Sequence, residues 1–180
     1  RTNCRWSITG GSRRRRKTIS LGGRNHYTPR RGPESMGLFD RVRDQTPRVG
    51  LFVDGPNVFR DEFDVDLDDL RDLASGEGQR VLTRLYLDEH ATPELIQAAE
   101  ARGFAVVTTS GDVDVRLGVE ATAAAVDGTI DVLVIVSRDT DFKPVLEHAA
   151  AYDVETVAVA PGSYGRSDAL KNSAQRAMTL

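Results

Sequence analysis

Five short runs rich in Val, Ile and Leu, at 49–53, 80–87, 104–108, 131–136 and 155–160, constrain this chain more than any other feature. Stretches with helical spacing follow them, near 67–75, 93–102, 113–126, 142–151 and 166–177. Continuously apolar strands that alternate with helices belong in a parallel sheet covered on both faces. The expected fold is therefore α/β, with three layers around a five-stranded parallel sheet. Right-handed crossovers and doubly wound connectivity give the strand order 3-2-1-4-5.

That order has a functional consequence. Connections leaving strands one and four run opposite ways, and a crevice opens at their carboxyl ends, where sheets of this kind bind ligands. Strand one ends in FVDGPN and puts Asp54 at the crevice. Strand four continues into VSRDTD and puts Asp139 and Asp141 there. Each has an ordinary structural explanation to be weighed. Asp141 suits the cap or first turn of the next helix, with Pro144 just inside it. Asp54, Gly55, Pro56 and Asn57 all favour turns. Asp139 has no comparable structural role.

Carboxylates that converge from two remote segments repel one another and raise each other's pKa. A hard divalent cation, Mg²⁺ or Mn²⁺, relieves that conflict through oxygen ligands. SGDVDVRLGVE supplies a further acid: Asp112 reads as the N-cap of its helix, and Asp114 as the acid that leans over the crevice. Glu120 lies six residues beyond Asp114, about 240° further around a helix. It also follows Arg116 by four residues, the spacing of a surface ion pair, so its expected role is structural.

Composition excludes several alternatives. Cys4 is the only cysteine, and His26, His90 and His148 are scattered without ligand spacing. A disulfide framework and a Cys-based zinc site are both ruled out. Residues 1–35 carry ten Arg and Lys against one Glu, whereas 36–180 carry fourteen against twenty-six Asp and Glu. The first segment is too polar to fold alone and is expected to be disordered. It reads either as a basic RNA-binding arm or, the favoured reading, as a non-native extension ahead of Met36. The acidic body, with only Lys143 and Lys171 as lysines, fits a salty cytoplasm. No apolar run reaches the length of a membrane span.

Four stretches, VGLFVDGPNVFR, GDVDVRLGVEA, VSRDTDFKPVLEHA and GSYGRSDALKNSAQRAMTL, resemble the NYN domain, a PIN-like nuclease group. The resemblance runs from about Arg48 to Leu180. It implies a Rossmann-like PIN fold and metal-dependent cleavage of RNA, endonucleolytic rather than exonucleolytic. Carried over by position, it marks Asp54, Asn57, Asp114, Asp139 and Asp141 as the site, with Ser137 beside them and Glu120 at a frequent acidic position of the helix motif. Gln175 departs from the pattern, standing where the C-terminal helix often carries Asp.

The expected chemistry is hydrolysis of a phosphodiester, with Asp54, Asp114, Asp139 and Asp141 holding Mg²⁺ or Mn²⁺. Arg138, Lys143 and Arg166 are the candidate phosphate contacts, Arg166 because GSYGRS precedes a helix. RNA is the expected partner, with no membrane. One alternative is a PIN-like module that grips RNA or protein without cutting. A phosphotransferase is disfavoured by Pro56, which occupies the place of a second acid, and dinucleotide binding by the lack of G-x-G-x-x-G after strand one.

Overall fold

A computed structural model describes residues 46–59, 65–162 and 168–180. The sheet contains β1 (Arg48–Asp54), β2 (Gln79–Asp88), β3 (Ala105–Thr109), β4 (Val132–Val136), β5 (Glu155–Ala160) and β6 (Arg176–Thr179). All neighbours are parallel, in the order β3-β2-β1-β4-β5-β6. The helices are α1 (Gly55–Val58), α2 (Leu67–Glu77), α3 (Pro93–Ala101), α4 (Val113–Val126), α5 (Lys143–Ala150) and α6 (Asp168–Ser173).

The expected order holds for the first five strands, but the sheet has six. The helix anticipated over 166–177 stops at Ser173, and the chain then enters β6, which pairs with β5 from Val157↔Arg176 to Ala160↔Thr179. Gln175 makes the turn possible. Its Oε1 accepts a hydrogen bond from the Thr156 N–H, and its own N–H donates to Thr156 Oγ1, both at 3.1 Å. Arg166 and residues 1–35 lie outside the described residues.

Strand alternation divides the interior into two cores. Leu51 and Val53 of β1, Leu85 and Leu87 of β2, and Val134 and Val136 of β4 face Leu67, Leu70 and Ala74 of α2 and Ala99 of α3. Phe52, Tyr86, Leu133 and Ile135 face the other way, against Leu117 and Ala121 of α4 and Leu146 and Ala149 of α5. β1 and β4 are therefore covered on both sides, which explains their uninterrupted apolar sequences. Burying one such aliphatic side chain contributes about 2 kcal/mol.

The close approach of β1 to β2 fixes the residue after Asp54. A Cβ on Gly55 would sit 2.6 Å from the Tyr86 carbonyl oxygen and 2.4 Å from Leu87 Cδ2. Only glycine lets the backbone turn there and carry Asp54 onto the carboxyl edge.

Candidate active site

Asp54 is the last residue of β1 and the N-cap of α1. It is fully buried. Ser137 Oγ donates to its Oδ2 at 2.6 Å, Asn57 Nδ2 donates to the same oxygen at 2.7 Å, and the Asn57 N–H reaches Oδ1 at 3.4 Å. Burial pushes the Asp54 carboxyl above its ordinary range, the Ser137 and Asn57 donors oppose that, and the charge of Asp139 adds to it. Asn57, expected in the site from its motif, thus does a defined job: it holds the central carboxylate in one orientation.

Ser137 is buried immediately after β4 and is itself tied to the sheet, its N–H donating to the Val159 carbonyl at 3.1 Å. Its hydroxyl also accepts from the Asp139 N–H at 3.0 Å. One side chain therefore connects Asp54 on β1 with Asp139 after β4. This direct link between the two strand ends underlies their convergence.

The capping roles differ from those the sequence implied. A single 3-10 turn, Thr140–Phe142, precedes α5, and Asp139 is its cap, accepting from the Asp141 N–H at 2.9 Å. Asp141 lies in the first turn of that 3-10 segment, and α5 begins at Lys143 without a side-chain cap. The inserted turn shifts the capping position back by two residues. Asp139 therefore has a structural role as well as its place in the crevice.

Asp112 caps α4, accepting from the N–H groups of Asp114 and Val115 at 3.0 and 3.3 Å. Asp114 is half-buried in the first turn. Desolvation, followed by the charges of Asp54, Asp139, Asp112 and Asp141, pushes its carboxyl up to about 6. Asp114 and Asp141 also line one groove between α4 and α5. Four acids from three segments thus share one electrostatic environment at the carboxyl end of the sheet.

Glu120 is elsewhere. Tyr86 Oη donates to its Oε2 at 2.8 Å, and the guanidinium groups of Arg84 and Arg116 also pair with it. These cations and the tyrosine hold the Glu120 carboxyl below its ordinary range despite partial burial. The i,i+4 pair with Arg116 was readable, but the contacts from β2 were not anticipated. Arg84 and Tyr86 are two apart and so share a strand face, a polar pair on a face otherwise turned toward a helix.

Of the candidate phosphate contacts, Arg138 is half-buried between Ser137 and Asp139, and Lys143 is 3.6 Å from Glu147 in an exposed pair.

Among the described residues no three His, Cys, Asp or Glu side chains stand ready as a metal-ligand set. The donor chemistry nonetheless fits a hard cation. All donors are oxygens, and the largest charge effects on Asp114 come from other carboxylates, a repulsion that a divalent ion removes. Asp54 and Asp139 are fixed by hydrogen bonds. Asp114 and Asp141, whose carboxylates accept none among the described residues, are the adjustable members.

The NYN domain model matches residues 48–180, and the chain belongs to that family, whose fold is of the PIN-like nuclease type. It is similar to an uncharacterized protein of Methanocaldococcus jannaschii, with 37% identity over 134 residues, covering 74% of this chain and 55% of that one. The chain thus spans about half the length of the curated relative it matches. The crystal structure of a Vibrio parahaemolyticus protein of unknown function shares the fold, with a TM-score of 0.66 at 21% identity, over 76% of this chain and 94% of that one.

Proposed function

We propose that this chain is a metal-dependent ribonuclease that hydrolyses RNA phosphodiester bonds internally, at the carboxyl ends of β1 and β4. The observation that carries this reading is the buried Asp54, fixed by Ser137 and Asn57, beside an Asp114 whose carboxyl is raised by neighbouring acids. Acids are gathered there at a cost to the folded protein, and a bound divalent ion offsets that cost. Membership of a family with a nuclease fold supports the same reading.

Asp54, Asp114, Asp139 and Asp141 would hold Mg²⁺ or Mn²⁺. Such an ion activates water toward a phosphate and neutralises the charge that develops on it. The rest falls to the protein's own groups. Asn57 and Ser137 keep the Asp54 carboxylate from rotating, and Asp139 keeps its place through the turn it caps. In the metal-free protein the Asp114 carboxyl is raised to about 6, so at and below that pH the cation would have to displace its proton. Arg138, next to Ser137, would meet a phosphate from the β4 side.

A non-catalytic RNA-binding module is the second reading, favoured by the lack of a ready-made ligand set among the described residues. One assay separates them. The full chain is incubated with single-stranded and structured RNAs in Mn²⁺ and in EDTA, with Asp139→Asn in parallel. The nuclease reading expects Mn²⁺-dependent internal cuts and at least about a 100-fold loss in Asp139→Asn. RNA that is retained but never cut supports the module instead.

A further inference from the structure

Helix α4 has two apolar faces, and only one of them is buried. Val113, Leu117, Ala121, Ala124 and Ala125 pack toward the sheet. Val115, Val119 and Val126 are 62%, 63% and 41% exposed. With Tyr152 they make up four of the five large apolar side chains left exposed among the described residues. The three valines form one stripe at helical spacing, and the stripe borders the groove between α4 and α5, which Gly118 and Val145 also line. Tyr152, just past α5, packs against His148 of the same groove, their rings 5.1 Å apart. A helix that is apolar on both sides is ordinarily covered on both.

The outer face of α4 is complementary to itself. About the midpoint between Glu120 and Ala121, Val115 mirrors Val126 and Val119 mirrors Thr122. A two-fold axis there sets apolar against apolar, as an isologous contact requires. Gly118 fits the same arrangement. A Cβ on it would meet Val145 Cγ2 at an ordinary 3.5 Å, so packing against α5 does not require glycine, which is disfavoured inside a helix. A second helix lying close in the groove does require it.

Charge sets the direction of the pairing. α4 ends on Asp127 with no basic residue in its last turn, an unfavourable place for a carboxylate. Arg116 and Asp127, eleven residues apart, are on one flank of the helix at about three turns' separation. An antiparallel second copy brings Arg116 of the partner subunit within about one turn of that Asp127, and a helix N-terminus to the same end. Arg116 also pairs with Glu120, but a guanidinium has donors for both. Asp112, Asp114, Asp127 and Asp141 line the groove, which opposes RNA as its occupant.

We infer that the α4–α5 face is the interface of a two-fold dimer, with α4 antiparallel to α4 of a second copy. The inference goes beyond the nuclease reading and does not depend on it. A face two helices wide and about 21 Å long offers about half of the roughly 800 Å² per partner of a standard interface, so the dimer is weak. The two acid clusters lie at opposite ends of the α4 pair, each bordered by the partner.

Sedimentation equilibrium of the full chain in EDTA and molar KCl, from about 2 to about 400 µM, tests this, with the Tm of each variant taken in dilute solution. Wild type should dimerise with a Kd of about 10–50 µM. Val119→Glu, at an exposed position, should weaken association at least about 30-fold. Gly118→Ala should weaken it about fivefold without lowering Tm. Asp127→Lys should weaken it too, although it reduces the net negative charge of the body. Glu94→Lys, exposed on α3 across the sheet, makes the same charge change and should not. A wild type that stays monomeric throughout, or a dimer that Val119→Glu leaves intact, would overturn the inference. So would wild-type association in Gly118→Ala, or an Asp127→Lys that associates as tightly as Glu94→Lys.

Discussion

Strand β1 begins and ends on an acid contact, and the two are opposites. At its start, Arg48 donates to Asp131 through its guanidinium at 2.8 and 3.0 Å and through its backbone N–H at 2.8 Å, and the Asp131 carboxyl is held below its ordinary range. At its end, Asp54 meets Ser137, Asn57 and the charge of Asp139, and its carboxyl is raised. The same contrast recurs on α4. Glu120 is stabilised as an anion by Arg84, Arg116 and Tyr86, while Asp114 in the first turn of the same helix is pushed to about 6 by other acids. At Asp131 and Glu120, where the carboxylate serves the fold, this chain supplies a cation. At the carboxyl edge of the sheet it supplies more carboxylates.

The two regions should therefore respond to neutralisation with opposite signs. The largest effect is expected at Glu120→Gln, which leaves a partly buried Arg84 without its main counter-charge and should cost about 2 kcal/mol, read as a lowered Tm. A stabilised Glu120→Gln would show that the network is not a brace. Asp114→Asn should do the reverse in the metal-free protein, adding roughly 1 kcal/mol at pH 7 once its exposure is discounted.

The pH window follows from the sign of the shift. Asp114 has a folded pKa of about 6 against an ordinary 3.8. The folded state binds this proton more readily than the unfolded chain, so stability rises as pH falls from about 6 toward 4. Asp114→Asn should flatten that rise, and its advantage should vanish near pH 4. Glu120 runs the other way: its depressed pKa gives stability present above the ordinary glutamate range and lost as pH falls through the folded value. A variant as pH-dependent as wild type would detach Asp114 from the acid cluster. Asp131→Asn should give the smallest change, because exposed pairs contribute little. It should leave cleavage untouched, and a large loss of activity there would erase the distinction between the two ends of β1.

How far the sequence reached follows from how local each signal was. β1 and β4 were legible because both faces are buried, which leaves an apolar run with no competing pattern. β6 was not, since RAMT is a mostly exposed edge strand in which only Met178 is half-buried among its four residues. Its preceding helix also continues smoothly in propensity up to Gln175, and nothing local announces that Gln175 will pair with Thr156, nineteen residues away. The four crevice acids were found because each sits at a strand or helix end that topology brings together. Asp112 caps α4 as read, but a 3-10 turn before α5 makes Asp139 the cap there, with Asp141 in its first turn. The brace from Arg84 and Tyr86 to Glu120 spans 36 and 34 residues and left only an alternation in β2 as a trace.

The central claim is that the acids at the carboxyl ends of β1 and β4 are gathered to hold a divalent ion. Melting curves in EDTA and in excess Mn²⁺, for wild type and Asp139→Asn, test it most directly. Asn caps as well as Asp, so the variant should melt close to wild type, or slightly above it, in EDTA. Mn²⁺ should stabilise the wild type by mass action, by about 2.7 kcal/mol at a hundredfold excess over Kd, read as a raised Tm, and should raise the variant's Tm far less. A wild type indifferent to Mn²⁺, or a variant that gains as much, would contradict the claim.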